Sequence, residues 1–80
     1  MINETNLRRL AFWKRTELEG VETNNIGSLL AEKGDHELAL ESYAAAKAVY
    51  EAIGAKNMVS QVNKNVVVAK AALRDGGAKL

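Results

Sequence analysis

The sequence predicts an all-α fold, and three observations carry that expectation. No proline occurs among the 80 residues, so the strongest helix breaker is missing. Alanine, the best helix former, is dense, with Ala44, Ala45, Ala46, Ala48 and Ala52 in one stretch. Strand patterning is nearly absent. The one β-branched run, Val66–Val68, lies between Lys64 and an Ala-rich tail with no turn chemistry beside it, and it reads as helical.

The elements follow in order within a single small domain, residues 1–80. Residues 5–18 form a leading helix, in which Leu7, Leu10, Ala11 and Leu18 share a stripe with Lys14 inside it. Thr5 or Asn6 is placed to cap it. Gly20 marks a break, which gives about four helices in all. One long helix through Gly20 is the alternative, because the stripe continues through Val21 and Asn25. Residues 21–33 place Val21, Ile26, Leu29 and Leu30 at helical spacing. Gly34-Asp35 is a stop and a restart: glycine suits the left-handed position after a helix, and Asp35 is a good N-cap. Leu38, Ala39, Tyr43, Ala46, Val49, Tyr50 and Ile53 then form an apolar face that Gly54 ends. The trailing helix, residues 57–75, is capped by Asn57 and aligns Met58, Val59, Val62, Val66, Ala69, Ala72 and Leu73. Gly76-Gly77 closes it, leaving Ala78-Lys79-Leu80 as a frayed tail.

Composition narrows the classes of function. Hydrophobic residues are 48% of the chain and the formal net charge is +1, so no strong global field recruits nucleic acid or an anionic membrane. Both are disfavoured as partners. There is no Cys, which removes disulfides and thiolate chemistry. No apolar run approaches the ~20 residues of a membrane span. The polar start lacks the apolar core of a secretory signal, so a cytoplasmic location is expected. The start Met1 and the Gly-Gly-Ala-Lys-Leu end favour a complete small protein over a piece of a longer array. Charge is segregated along the chain. Arg8, Arg9, Lys14 and Arg15 against Glu4 give residues 1–15 a net +3. Residues 16–41 carry −6, from Glu17, Glu19, Glu22, Glu32, Asp35, Glu37 and Glu41 against Lys33. Residues 56–80 carry +4, from Lys56, Lys64, Lys70, Arg74 and Lys79 against Asp75.

The stretch from Asn24 to Lys47 resembles a tetratricopeptide repeat. Gly27 matches the small residue of that family's first helix, Gly34-Asp35 its turn, and Ala39, Tyr43 and Ala46 its second-helix signature. The resemblance covers about one repeat, residues 21–54. It departs from the family pattern at Thr23, where a Trp is usual, at Leu30 in place of an aromatic, and in lacking the closing Pro. A shift of 42 residues lays Ile26, Gly27, Leu30 and Gly34 on Val68, Ala69, Ala72 and Gly76, suggesting the first helix of a second repeat. The resemblance implies an antiparallel helix hairpin flanked by a helix on each side. It also implies a groove, lined by first helices, that binds a peptide or a helix. Repeats of this kind stabilise one another through neighbours, and an Ala-rich core buries little apolar area at about 25 cal/mol per Å². A protein or peptide partner, or self-association into a homo-oligomer, is therefore expected, in the role of a scaffold, adaptor or assembly factor.

Candidate residues follow from both lines. The resemblance makes Asn24, Asn25 and Ser28, with Asn63, Lys70 and Arg74 on the trailing helix, candidates for contacting a partner's backbone and carboxylates. Phe12-Trp13-Lys14-Arg15, after Arg8 and Arg9, mixes aromatic and basic groups. Trp13 is the candidate hot spot, and the alternative function is a basic-aromatic helix, residues 7–15, on an anionic membrane surface or nucleic acid. Adjacent aromatics lie about 100° apart on a helix, so one of the two packs and the other is exposed. His36, the one imidazole, reads as a packing residue beside the turn. No Ser/His/Asp set, Cys/His set or phosphate loop is present, so no catalytic residue, metal site or cofactor is expected and the chain is not read as an enzyme. Tyr43→Ala is expected to cost about 3–5 kcal/mol, as for a buried aromatic. Urea unfolding measures it, and a loss within error would remove the repeat assignment.

Overall fold

Helix α1 (Glu4–Glu32) opens on Asn3, whose Oδ1 accepts the Asn6 N–H at 2.8 Å. The cap is thus Asn3; Thr5 and Asn6 lie inside the first turn. The computed structural model describes residues 3–78. Three helices and no strand occur among them: α1, α2 (His36–Ala52) and α3 (Lys56–Ala78).

The expected break at Gly20 does not occur, and residues 5–33 hold one helix instead of two. The reason is tertiary. A Cβ built on Gly20 would lie 2.7 Å from the Tyr50 ring, and one on Gly27 would lie 2.6 Å from the Tyr43 ring. Both glycines keep helical dihedrals and serve as floors for aromatic rings. The hydroxyls of Thr16 and Thr23, either side of Gly20, donate back to the carbonyls of Phe12 and Glu19 at 2.8 and 2.7 Å.

The turns are where glycine's left-handed freedom is used. Gly34 (φ +89°) and Gly54 (φ +71°) follow α1 and α2. At each, two crossed backbone bonds close the helix: Asp35 N–H to Leu30 O with Gly34 N–H to Ala31 O, and Ala55 N–H to Tyr50 O with Gly54 N–H to Glu51 O. This is the Schellman arrangement. Asp35 occupies the N-cap position of α2 without making a side-chain capping bond. Helix α3 begins at Lys56, so Asn57 is not its cap, and the Ala55 carbonyl accepts from Met58 and Val59. Gly76-Gly77 does not stop α3, which runs to Ala78. Gly76 keeps a negative φ, because nothing packs there to require a turn. Lys79 and Leu80 of the expected tail lie outside the described residues.

α2 runs antiparallel to α1, because Trp13 meets Ile53, Gly20 meets Tyr50 and Gly27 meets Tyr43. The core is Ala39, Tyr43, Ala46 and Tyr50 of α2, with Val62 and Ala69 of α3. Val21, Leu30, Leu40, Ile53, Met58, Val59 and Val66 pack around it. The buried residues of α1 and α3, Gly20 with Gly27 and Val62 with Ala69, stand 42 residues apart pair by pair. At ~1.5 Å per residue, α1 is about 43 Å long and α2 about 26 Å. The α1 turns before Trp13 therefore extend past the end of α2, and every residue from Asn3 to Arg15 is exposed.

The stripe Leu7, Leu10 and Leu18, which reads as the packing face of the leading helix, faces outward. Ile26, Leu29 and Leu38 are also exposed. Side chains as large as leucine would hold the two backbones apart, whereas glycine admits the tyrosine rings. Helix propensity favours Gly→Ala by about 1 kcal/mol, yet in this fold Gly20→Ala and Gly27→Ala are expected to lose about 1–3 kcal/mol through overpacking against the tyrosine rings. Urea denaturation of each variant reads the sign; a gain in stability at both positions would contradict the packing.

Candidate functional site

A concave seam forms where α1 and α3 meet over α2. Asn65 of α3 donates from Nδ2 to Asn24 Oδ1 of α1 at 3.2 Å. One turn further along, the Tyr43 hydroxyl donates to Ser28 Oγ at 3.3 Å. One polar bond thus joins the two walls of the seam and the other ties a wall to its floor, and both are partly buried. Beyond them lies a cleft of about 270 Å³, lined by Ala31, Glu32, His36, Tyr43, Asn65, Val68 and Ala69. Its walls are mainly apolar. Val68 and Glu32 are exposed at its edge, and His36 is half-buried at its end with Nδ1 enclosed and no protein partner.

The residues singled out from sequence divide between separate surfaces. Asn24 and Ser28 are brought together at the seam, where both already bond within the chain. Asn25 is exposed outside the seam. Asn63, Lys70 and Arg74 are all exposed. They share one face of α3 at helical spacing, while Asn63 lies about 200° around the helix from Asn65. The seam and the Lys70–Arg74 face are therefore different sides of α3. The Arg74 guanidinium stands 3.9 Å from Asp75, with both side chains solvated, a contact worth little. Asn65, which sequence reasoning missed, is the residue that joins the two helices. Its signal was its helical alignment with Ala69 and Ala72 rather than with Asn63.

Trp13 and Phe12 divide as their 100° separation requires. Trp13 is 40% exposed, and its Nε1 donates to the Ile53 carbonyl at 3.2 Å, on the turn after α2. Phe12 is 65% exposed. A second concavity beside Trp13 is lined by Glu17, Gly54, Lys56 and Met58. Among the described residues no three His, Asp or Glu side chains converge as a metal site would require. No helix of the described residues is long and apolar enough to cross a membrane.

No protein-family model, curated protein or solved structure matches this chain.

The fold shifts the ionisation of Tyr50. Burial raises its phenol above the usual value, and the nearby Glu17 carboxylate adds to the rise. Its hydroxyl is enclosed without a protein partner. The fold favours the neutral phenol, so that contribution is complete below the unfolded-state pKa of about 10 and is lost as pH climbs through the higher folded value. Tyr50→Phe is expected to lie within about 1 kcal/mol of wild type at pH 8, since no intramolecular hydrogen bond is lost. It should also lose less stability than wild type between pH 8 and pH 11. Equal losses in paired urea titrations would show that Tyr50 is not the group responsible.

Proposed function

We propose that this chain is a protein–protein interaction module built like a tetratricopeptide repeat, with α1 and α2 as one repeat and α3 as the first helix of the next. The observation that carries this reading is the distribution of apolar surface. Leu7, Leu10, Phe12, Trp13, Leu18, Ile26, Leu29, Leu38, Val67 and Val68 are all at least 40% exposed, whereas the fully buried large side chains are Tyr50 and Val62. Large apolar side chains left in solvent support an interaction surface where they lie together. The 42-residue register supports the repeat build: Gly27 and Ala69 are both buried, Leu30 and Ala72 half-buried, Ile26 and Val68 exposed.

The seam is where a peptide or helix would bind. Val68 and Ala31 would cover its apolar side, and Asn24, Asn65 and Ser28 would offer the remaining hydrogen-bond capacity of their polar groups. The role is then that of an adaptor, scaffold or assembly factor, without catalysis. A second reading has one observation of its own: the overhanging turns of α1 expose Phe12, Leu7 and Leu10 beside Arg8, Arg9, Lys14 and Arg15. That segment suits an anionic membrane surface or nucleic acid, and its binding would fall steeply with salt.

Display of random 16-residue peptides against the full chain tests the seam. Selected peptides are expected to bind about tenfold or more weakly to Val68→Glu, with little change for Lys70→Ala or Arg74→Ala. No enrichment, or full binding by Val68→Glu, would remove the seam as the site. Peptides lost with Lys70 or Arg74 would move it to the opposite side of α3.

A further inference from the structure

Helix α1 presents leucines on a side away from the one that packs on α2. One side, at Gly20 and Gly27, holds α2. On the other, Leu7, Ala11, Lys14, Leu18, Glu22, Asn25 and Leu29 follow one another at spacings of 4, 3, 4, 4, 3 and 4 residues. All seven are exposed. Leu7, Leu18 and Leu29 are 11 residues apart, which is three helical turns to within about 20°, so the row stays straight over the whole of α1. Leu7, Leu18 and Leu29 are 52%, 61% and 56% exposed. α3 meets α1 at Asn24, away from this row.

The spacing of the row is the same in either direction about Leu18. Reversal exchanges Leu7 with Leu29, Ala11 with Asn25 and Lys14 with Glu22. The charges reverse with it: residues 4–15 carry a net +3, and Glu17, Glu19, Glu22 and Glu32 give residues 16–32 a net −4. Two parallel copies would set like charge against like. Two antiparallel copies centred on Leu18 bring Lys14 level with Glu22 and Arg15 beside it, once on each side of the centre, while Glu17 and Glu19 come level with Glu19 and Glu17 of the other copy.

From this we infer that the chain forms a two-fold homodimer through the outer faces of two antiparallel α1 helices, centred on Leu18. The inference rests on the reading of the chain as an interaction module and names one partner, a second copy. Leu18 packs on Leu18 of the second copy, and Leu7 and Leu29 close the two ends. Lys14 comes level with Glu22 of the second copy, with Arg15 beside it. An isologous contact of this kind closes on itself and leaves no open end.

The absence of native cysteine makes cross-linking a clean test. Under mild oxidation Leu18→Cys is expected to give a covalent dimer. Leu7→Cys alone is expected to stay uncoupled, because its two copies stand about 33 Å apart in this arrangement. A mixture of Leu7→Cys with Leu29→Cys is expected to couple. Charge exchange tests the register without cysteine. In sedimentation equilibrium, the Lys14→Glu/Arg15→Glu and Glu22→Lys variants should each dimerise about tenfold more weakly than wild type. Their equimolar mixture should recover wild-type affinity. A wild type that stays monomeric to about 1 mM, self-coupling of Leu7→Cys, or no recovery in the mixture would each overturn the inference. Peptide binding that depends on Val68 would survive that failure, because the seam is a different side of α1.

Discussion

Two tyrosine rings lying on two glycines hold this fold in place. Gly20 and Gly27 are seven residues apart on α1, as are Tyr43 and Tyr50 on α2, so two turns of one helix match two turns of the other in antiparallel sense. Each ring sits where a β-carbon would otherwise be. That contact sets how near the two backbones come and in what register. It also explains why α1 passes straight through a glycine that would otherwise invite a break. The turn at Gly34 needs only to be short enough to return the chain into that register.

A core built this way is narrow. Besides the tyrosines, its buried members are Ala39, Ala46, Ala69 and Val62, side chains that permit close approach and bury little area each. Leu30, Leu40, Ile53 and Met58 only border this core, half-buried, while Leu7, Leu10, Leu18, Leu29 and Leu38 are exposed. The protein is accordingly long and thin, 62 Å by 19 Å by 12 Å, and offers most of its leucine to solvent. Apolar surface that a larger domain would bury internally stays exposed on this chain.

Electrostatics adds direction where packing adds only area. The exposed ion pair of Arg8 with Glu4, at 2.7 Å with both side chains solvated, contributes little to stability. The separation of a basic start of α1, net +3 over residues 4–15, from its acidic remainder, net −4 over residues 16–32, acts over a longer distance than a single ion pair. The polar bonds at the seam are of another kind. Both are partly buried: the bond of Asn65 to Asn24 ties α3 to α1, and that of Tyr43 to Ser28 ties α2 to α1.

Local chemistry made much of this legible. The absence of proline, the alanine content and the 3.6-residue spacing of Ala39, Tyr43, Ala46 and Tyr50 determine that the chain is helical and which face of α2 is buried. Gly34 and Gly54 determine where it turns, because only a residue without a side chain takes a positive φ at no cost. What the pattern left undecided was the choice between two faces of α1. Its leucine stripe is the stronger signal by hydropathy, yet the glycines form the packed face, since the size of Tyr43 and Tyr50 on another helix decides what fits. The same physics separates Asn65 from Asn63: two residues along the chain, they lie on opposite sides of α3, and only its docking on α1 reveals which one bonds. Gly20 and Gly76 likewise carry the same residue type as Gly34 with a different outcome. Composition and spacing determined the elements; steric complementarity between side chains distant in sequence decided their faces.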